Sequence, residues 1–132
     1  MTAPTRIALL ALLSVAPLCA APEIPKGQVL AQVACVSDPK QTYALYIPTA
    51  FDPAKRHAVL FCFDPGARGH APVERFSAAA EQFGWIVAGS NNSRNGPWEA
   101  NAAAIKAMVG DVTRHLPIDP RRIYVAGLSG GA

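Results

Sequence analysis

Three uninterrupted apolar runs, separated by longer amphipathic segments, constrain the fold of this chain most. The runs cover residues 57–63, 85–88 and 123–126, and each is bounded by loops that contain Gly, Pro or polar residues. Such runs are typical of strands that are buried on both faces of a sheet. Buried strands that alternate with helices predict a parallel sheet covered on both faces and joined by right-handed crossovers.

The segments between the runs predict two helices, over residues 72–83 and 98–116. Pro72 suits the first turn of a helix and Gly84 a helix end. Apolar residues recur at helical spacing in both segments: Val73, Phe76, Ala79, Ala80 and Phe83 in the first, and Ala102, Ile105, Met108, Val109, Val112 and Leu116 in the second.

Residues 28–36 and 42–47 alternate apolar and polar side chains, which predicts an antiparallel hairpin ahead of the parallel strands. The predicted fold class is therefore α/β, with a mixed but mostly parallel sheet. No crossover helix follows the strand at 123–126, so we expect the domain to be incomplete at its C-terminus and the chain to be an N-terminal part.

The N-terminus is typical of a secretory signal. Arg6 precedes the uncharged apolar run 7–18, which is shorter than the roughly 20 residues that a membrane-spanning helix needs. We expect cleavage after Ala20 and a secreted or periplasmic protein, so that residues 1–20 are a signal peptide and 21–132 the domain. The alternatives are a lipoprotein modified at Cys19 and an uncleaved membrane anchor.

Composition further narrows the class of protein to which the chain can belong. The chain has 132 residues, 51% of them hydrophobic, and a net charge of +3, as a soluble globular domain would have. Its basic residues are scattered, which disfavours nucleic acid as a partner. No Cys/His ligand spacing occurs, so no metal site is predicted. Cys62 lies inside an apolar run and is predicted to be a buried free thiol, while a pairing with Cys35 stays open.

The motif that carries chemistry is Gly-Leu-Ser-Gly-Gly at residues 127–131, directly after the apolar run 123–126. A strand that turns sharply into a helix projects a serine hydroxyl clear of its own backbone, which predicts that Ser129 is a nucleophile. Gly127 and Gly131 allow close approach at the turn. The N–H of Gly130, at a helix start, would stabilise an oxyanion.

The alternative for this motif is a tight glycine turn or a phosphate-binding loop. Phosphate loops place Lys beside Ser or Thr, and dinucleotide loops need Gly-x-Gly-x-x-Gly; neither pattern is present.

Two further loops follow predicted strands and should lie at the same sheet edge. In the first, Pro65 has no N–H, so Gly66 or Ala67 is the candidate second oxyanion donor, unless the loop is an ordinary turn. Arg68 is a candidate ligand for a substrate carboxylate, or is simply solvated. In the second loop, Asn91 and Trp98 are candidates for the substrate pocket, or pack structurally.

The three histidines, His57, His70 and His115, all precede Ser129. Where a nucleophilic serine follows a central strand in this way, the acid and then the histidine come later in the chain. We therefore expect the catalytic acid and base beyond Ala132, and we expect the 132-residue chain alone to be inactive.

The stretches 43–48, 57–63 and 118–131 resemble the esterase and polyhydroxybutyrate-depolymerase-like branch of the α/β-hydrolases. Dienelactone hydrolases and prolyl-oligopeptidase-type peptidases are close in pattern. The resemblance implies a serine hydrolase that acts on small-molecule or polymeric esters without a cofactor, with Ser129 as nucleophile and Gly130 as oxyanion donor.

Many relatives carry His-Gly where this chain has Asp64-Pro65-Gly66, which leaves the second donor and the subfamily open. Two alternatives to an esterase stand. One is a peptidase of the same fold, and the other is a non-catalytic exported binding domain.

Overall fold

The computed structural model describes residues 23–131, so the predicted signal peptide and Cys19 lie outside the described residues. The elements along the chain are β1 (Val29–Ala34), β2 (Thr42–Tyr46), β3 (His57–Phe63), α1 (His70–Phe83), β4 (Ile86–Ser90), α2 (Trp98–His115) and β5 (Ile118–Gly127), followed by a 3-10 turn (Ser129–Gly131).

The strands form one five-stranded sheet in the order β1-β2-β4-β3-β5. β2 is antiparallel to both β1 and β4, whereas β3 is parallel to β4 and to β5. Only β2 therefore runs against the common direction. The predicted hairpin and the predicted mixed, mostly parallel sheet are confirmed.

The two helices cover opposite faces of this sheet. Met108 and Val112 of α2 pack with Phe61 and Ile86 on one face. Val73 and Ala80 of α1 pack on the other face, in a cluster that includes Ala44, Tyr46, Cys62 and Val87. Because neighbouring residues of a strand point to opposite faces, the continuous apolar runs supply both clusters at once.

The cysteines follow the same division. Cys62 belongs to the cluster on the α1 face and Cys35 to the cluster on the α2 face, and both are free thiols. The predicted buried free thiol at Cys62 is confirmed. Burial raises the pKa of the Cys62 thiol to about 12, because the charged thiolate would lose its hydration.

A buried carboxylate joins α2 to the hairpin. Asp111 is 7% exposed and accepts hydrogen bonds from the Tyr43 hydroxyl and the Val36 N–H, each 2.8 Å long. These bonds satisfy a charge that would otherwise be costly to bury. Neither helix in residues 23–131 is long and apolar enough to cross a membrane.

Some element boundaries differ from the sequence prediction. Helix α1 begins at His70 rather than at 72, and β4 continues to Ser90. Strand β5 begins at Ile118 rather than at 123, because Ile118 pairs with His57 before the register shifts. The stretch at the register shift contains Pro120. A strand tolerates proline at such an irregularity, but the proline makes the start of this strand hard to recognise in the sequence.

Candidate active site

Three loops meet at the carboxyl edge of the parallel strands. Phe63 at the end of β3 is in register with Gly127 at the end of β5, and Cys62 is in register with Gly89 of β4. The segments that follow these strands therefore leave the sheet side by side. Ligand sites of open α/β sheets form at this edge.

The turn after β5 holds Ser129 in a conformation that side chains rarely adopt. Its φ is +50°, one of two positive values at non-glycine residues within 23–131. Positive φ costs an L-residue about 1–2 kcal/mol and persists only where the surroundings enforce it. Here the Leu128 N–H donates to the Phe63 carbonyl at 3.2 Å, and the Gly131 N–H donates to the Leu128 carbonyl at 2.8 Å. Ser129 itself is exposed.

Gly131 lets this turn lie directly against the end of β3. A Cβ at Gly131 would come within 2.5 Å of the Phe63 carbonyl oxygen and 2.7 Å of its carbon. The clash would be with backbone atoms, so no side-chain rotation would relieve it. The predicted close approach at Gly131 thus has a physical cause in the structure.

The loop after β3 is organised by Asp64, which is 4% exposed. Its Oδ1 accepts the Gly66 N–H at 2.8 Å, and its carbonyl oxygen accepts the Ala67 N–H at 3.1 Å. Ala67 has a φ of +58°. Both N–H groups predicted as second oxyanion donors therefore lie in the expected loop, and both donate to Asp64.

The Arg68 guanidinium forms two hydrogen bonds to the Asp64 carboxylate, with Nε to Oδ1 at 2.9 Å and Nη2 to Oδ2 at 3.0 Å. These bonds hold the pKa of Asp64 below its usual range and raise that of Arg68. Arg68, which was predicted to bind a substrate carboxylate, therefore forms an ion pair with a carboxylate of its own loop. The Asp64–Arg68 pair was not predicted from the sequence, although the i, i+4 spacing of opposite charges was a usable signal.

The loop after β4 reaches across to the other two. The Asn95 N–H donates to the Pro65 carbonyl at 3.0 Å, and Arg94 pairs with Gly66 in an isolated β-bridge. The Asn95 side-chain amide lies against Gly130, because a Cβ added there would overlap its Oδ1 and come within 2.7 Å of its Cγ. The position of Asn95 beside this turn was not predicted from the sequence.

A cleft of about 640 Å³ lies between this loop, α2 and the turn after β5. Its lining includes Trp98, Ile105, Val125, Gly130 and Gly131. Of the predicted pocket residues, Trp98 therefore borders the cleft and is 70% exposed. The Asn91 amide instead donates to the Ala31 carbonyl and the Thr42 hydroxyl, at the β1–β2 side of the sheet.

No protein-family model matches the sequence, and no curated protein is similar enough to match it. Solved structures do match. Acetyl xylan esterase from Aspergillus awamori is 20% identical, with a TM-score of 0.60 over 80% of this chain and 44% of its own. Esterase 2 of Thermogutta terrifontis is 24% identical, with a TM-score of 0.55 over 83% of this chain and 42% of its own.

An esterase from the archaeon Pyrobaculum calidifontis is 19% identical, with a TM-score of 0.57 over 81% of this chain and 37% of its own. Together with the strand order and the two helix layers, these neighbours show that the chain has the α/β-hydrolase fold predicted from its sequence. The chain spans less than half the length of each of these structures.

The contact at Gly131 predicts the effect of a single added methyl group. Gly131→Ala should lower the free energy of unfolding by about 1–3 kcal/mol, because the new Cβ pushes the turn off the end of β3. The matched control is Gly110→Ala inside α2, where a Cβ would meet nothing within 4 Å. That variant should gain about 0.5–1 kcal/mol from helix propensity. Urea unfolding measures both; equal effects would contradict the contact.

The Asp64–Arg68 pair predicts a pH-dependent contribution to stability. The folded-state pKa of Asp64 lies below its unfolded value, so the pair stabilises the protein above pH about 4 and less as pH falls through the folded pKa. Asp64→Asn should therefore be less stable than the wild type at pH 6, with a difference that shrinks towards pH 2. Unfolding curves across this range test it. A difference independent of pH would show that the charge contributes nothing.

Proposed function

We propose that the whole protein is a serine hydrolase of carboxylic esters and that Ser129 is its nucleophile. The observation that carries the proposal is the exposed serine at φ +50° in a glycine-rich turn, directly after a parallel strand that pairs with β3. Strained backbone at a sheet edge that opens onto a cleft is characteristic of reactive residues. The esterase neighbours support the same chemistry.

In the proposed mechanism the Ser129 hydroxyl loses its proton to a histidine and attacks the acyl carbonyl. The carbonyl oxygen becomes a tetrahedral oxyanion, which the Gly130 N–H stabilises. Collapse of this intermediate expels the alcohol, protonated by the same histidine, and leaves an ester on Ser129. Water then attacks that ester in the same way and releases the carboxylic acid.

The histidine and its acid are proposed to lie beyond Ala132. His70 is exposed at the start of α1 and precedes Ser129 in the chain. His57 begins β3 and His115 ends α2, both at the opposite, amino edge of the parallel strands. Their ring nitrogens also hydrogen-bond to the carbonyl oxygens of Asp52 and Asp111, each at 2.9 Å. A base that follows Ser129 in the chain is the order that the resemblance implies.

An ester is favoured over a peptide as the substrate because the similar solved structures include an acetyl xylan esterase, a carbohydrate esterase and thermophilic esterases. One of them, esterase 2 of Thermogutta terrifontis, has been seen phosphonylated by sarin. The cleft beside Gly130 offers both apolar and polar walls, as an ester with a polar alcohol would need.

The proposal predicts that the whole protein hydrolyses p-nitrophenyl acetate and that Ser129→Ala reduces kcat at least about 10³-fold, because acyl transfer then lacks its nucleophile. The matched control is Ser77→Ala, a half-buried serine of α1 whose hydroxyl bonds only to the Glu74 carbonyl within the described residues. Its kcat should equal that of the wild type.

Two results would count against this function. Equal turnover by the wild type and Ser129→Ala would show that Ser129 is not the nucleophile. Faster turnover of peptide than of ester substrates would favour a peptidase. Residues 1–132 alone should be inactive. Hydrolysis by that chain, abolished by Ser129→Ala, would show that the base does not lie beyond Ala132.

A further inference from the structure

We propose that the side-chain amide of Asn95 is the second hydrogen-bond donor to the oxyanion, beside the Gly130 N–H. This inference rests on the proposed function, since it needs an acyl carbonyl attacked by Ser129. It replaces the backbone donors expected in the loop after β3 with a side chain from the loop after β4.

The expected backbone donors are already engaged in hydrogen bonds within the loop after β3. The Gly66 N–H donates to the Asp64 carboxylate at 2.8 Å, and the Ala67 N–H donates to the Asp64 carbonyl at 3.1 Å. Hydrogen bonds to a charged group are worth more than neutral ones. Because the Asp64 carboxylate is buried and also held by Arg68, releasing the Gly66 N–H would leave that carboxylate short of a donor.

The Asn95 side-chain amide lies beside the backbone of Gly130. The atoms nearest to the Cβ position of Gly130 are all from Asn95: Oδ1, Cγ at 2.7 Å and Nδ2 at 3.2 Å. Gly130 follows the nucleophile directly, so the amide lies next to the residue whose N–H is the first donor. A side chain at position 130 would occupy the space that the amide fills, which explains why a glycine stands at this position.

The Asn95 backbone is held in place before any substrate binds. Its own N–H donates to the Pro65 carbonyl at 3.0 Å. The preceding residue, Arg94, exchanges two hydrogen bonds of 2.8 Å with the side chain of Asn101 at the start of α2. Donors fixed in advance stabilise a developing charge without the cost of reorganising.

The Asn95 side-chain amide is available to bind a substrate oxygen. The side chains of Asn91, Asn92 and Asn101 make hydrogen bonds that hold the fold together. Within residues 23–131 the hydrogen bonds of this loop use the Asn95 backbone and not its amide. Oδ1 faces Gly130, and a half-turn of the amide exchanges Oδ1 with Nδ2 and presents the NH2 group to an oxyanion.

The test uses the whole protein with Asn95→Ala and the isosteric Asn95→Asp, which fills the same space but cannot donate as a carboxylate. Both variants should lose about 100- to 1,000-fold in kcat on p-nitrophenyl acetate with little change in KM. Inhibition by a boronic acid, which forms a tetrahedral adduct on the serine, should weaken by a similar factor. A merely structural role of Asn95 would not lower kcat and boronic-acid inhibition by the same factor.

The matched control is Asn92→Ala in the same loop, whose amide holds the Thr42 N–H and the Lys40 carbonyl. It should lower the free energy of unfolding while kcat stays within about threefold of the wild type, a change of under 1 kcal/mol in barrier. Circular dichroism confirms that each variant is folded.

The outcomes separate the two proposals. If kcat of both Asn95 variants stays within about threefold of the wild type while Ser129→Ala is inactive, the Asn95 inference is overturned and the proposed function stands. The inference also fails if kcat falls but boronic-acid inhibition is unchanged. If the wild type and Ser129→Ala turn over esters equally, the proposed function fails. The Asn95 inference then fails too, because it rests on that function.

Discussion

The hydrogen bond from the Leu128 N–H to the Phe63 carbonyl, 3.2 Å long, ties the turn that carries Ser129 to the end of the neighbouring strand. It continues the ladder between β3 and β5 by one residue past Gly127. The absence of a side chain at Gly131 makes the same contact sterically possible. The strained backbone of Ser129 therefore depends on the pairing of two buried strands, which links the stability of the sheet to the presentation of one hydroxyl.

The other two loops at this edge depend on polar contacts rather than on strand pairing. The buried Asp64 carboxylate accepts hydrogen bonds from Gly66 and Arg68, and the Asp64 carbonyl accepts the Ala67 N–H. The loop after β4 joins this loop through the Asn95 N–H and the Pro65 carbonyl. The three loops thus form one connected edge. This connection explains how exposed segments are held in fixed positions beside an exposed serine.

Much of the fold could be predicted from the sequence because buried parallel strands leave continuous apolar runs, as residues 57–63 do. The start of β5 could not, since its first residues include Pro120 and charged neighbours that pair irregularly with β3. In the site, Ser129 follows from its motif and the strand before it. Asn95 does not, because the loop after β4 also holds Asn91 and Asn92, and only tertiary hydrogen bonds distinguish the three asparagines.

The proposed chemistry depends most on Ser129 being the reactive residue at this edge. A crystal structure of the whole protein after reaction with a fluorophosphonate tests that directly. We predict phosphorus bonded to the Ser129 Oγ, with the phosphonyl oxygen within about 3 Å of the Gly130 N–H, the distance expected of an oxyanion donor. Phosphorus on another residue, with Ser129 unmodified, would contradict the account.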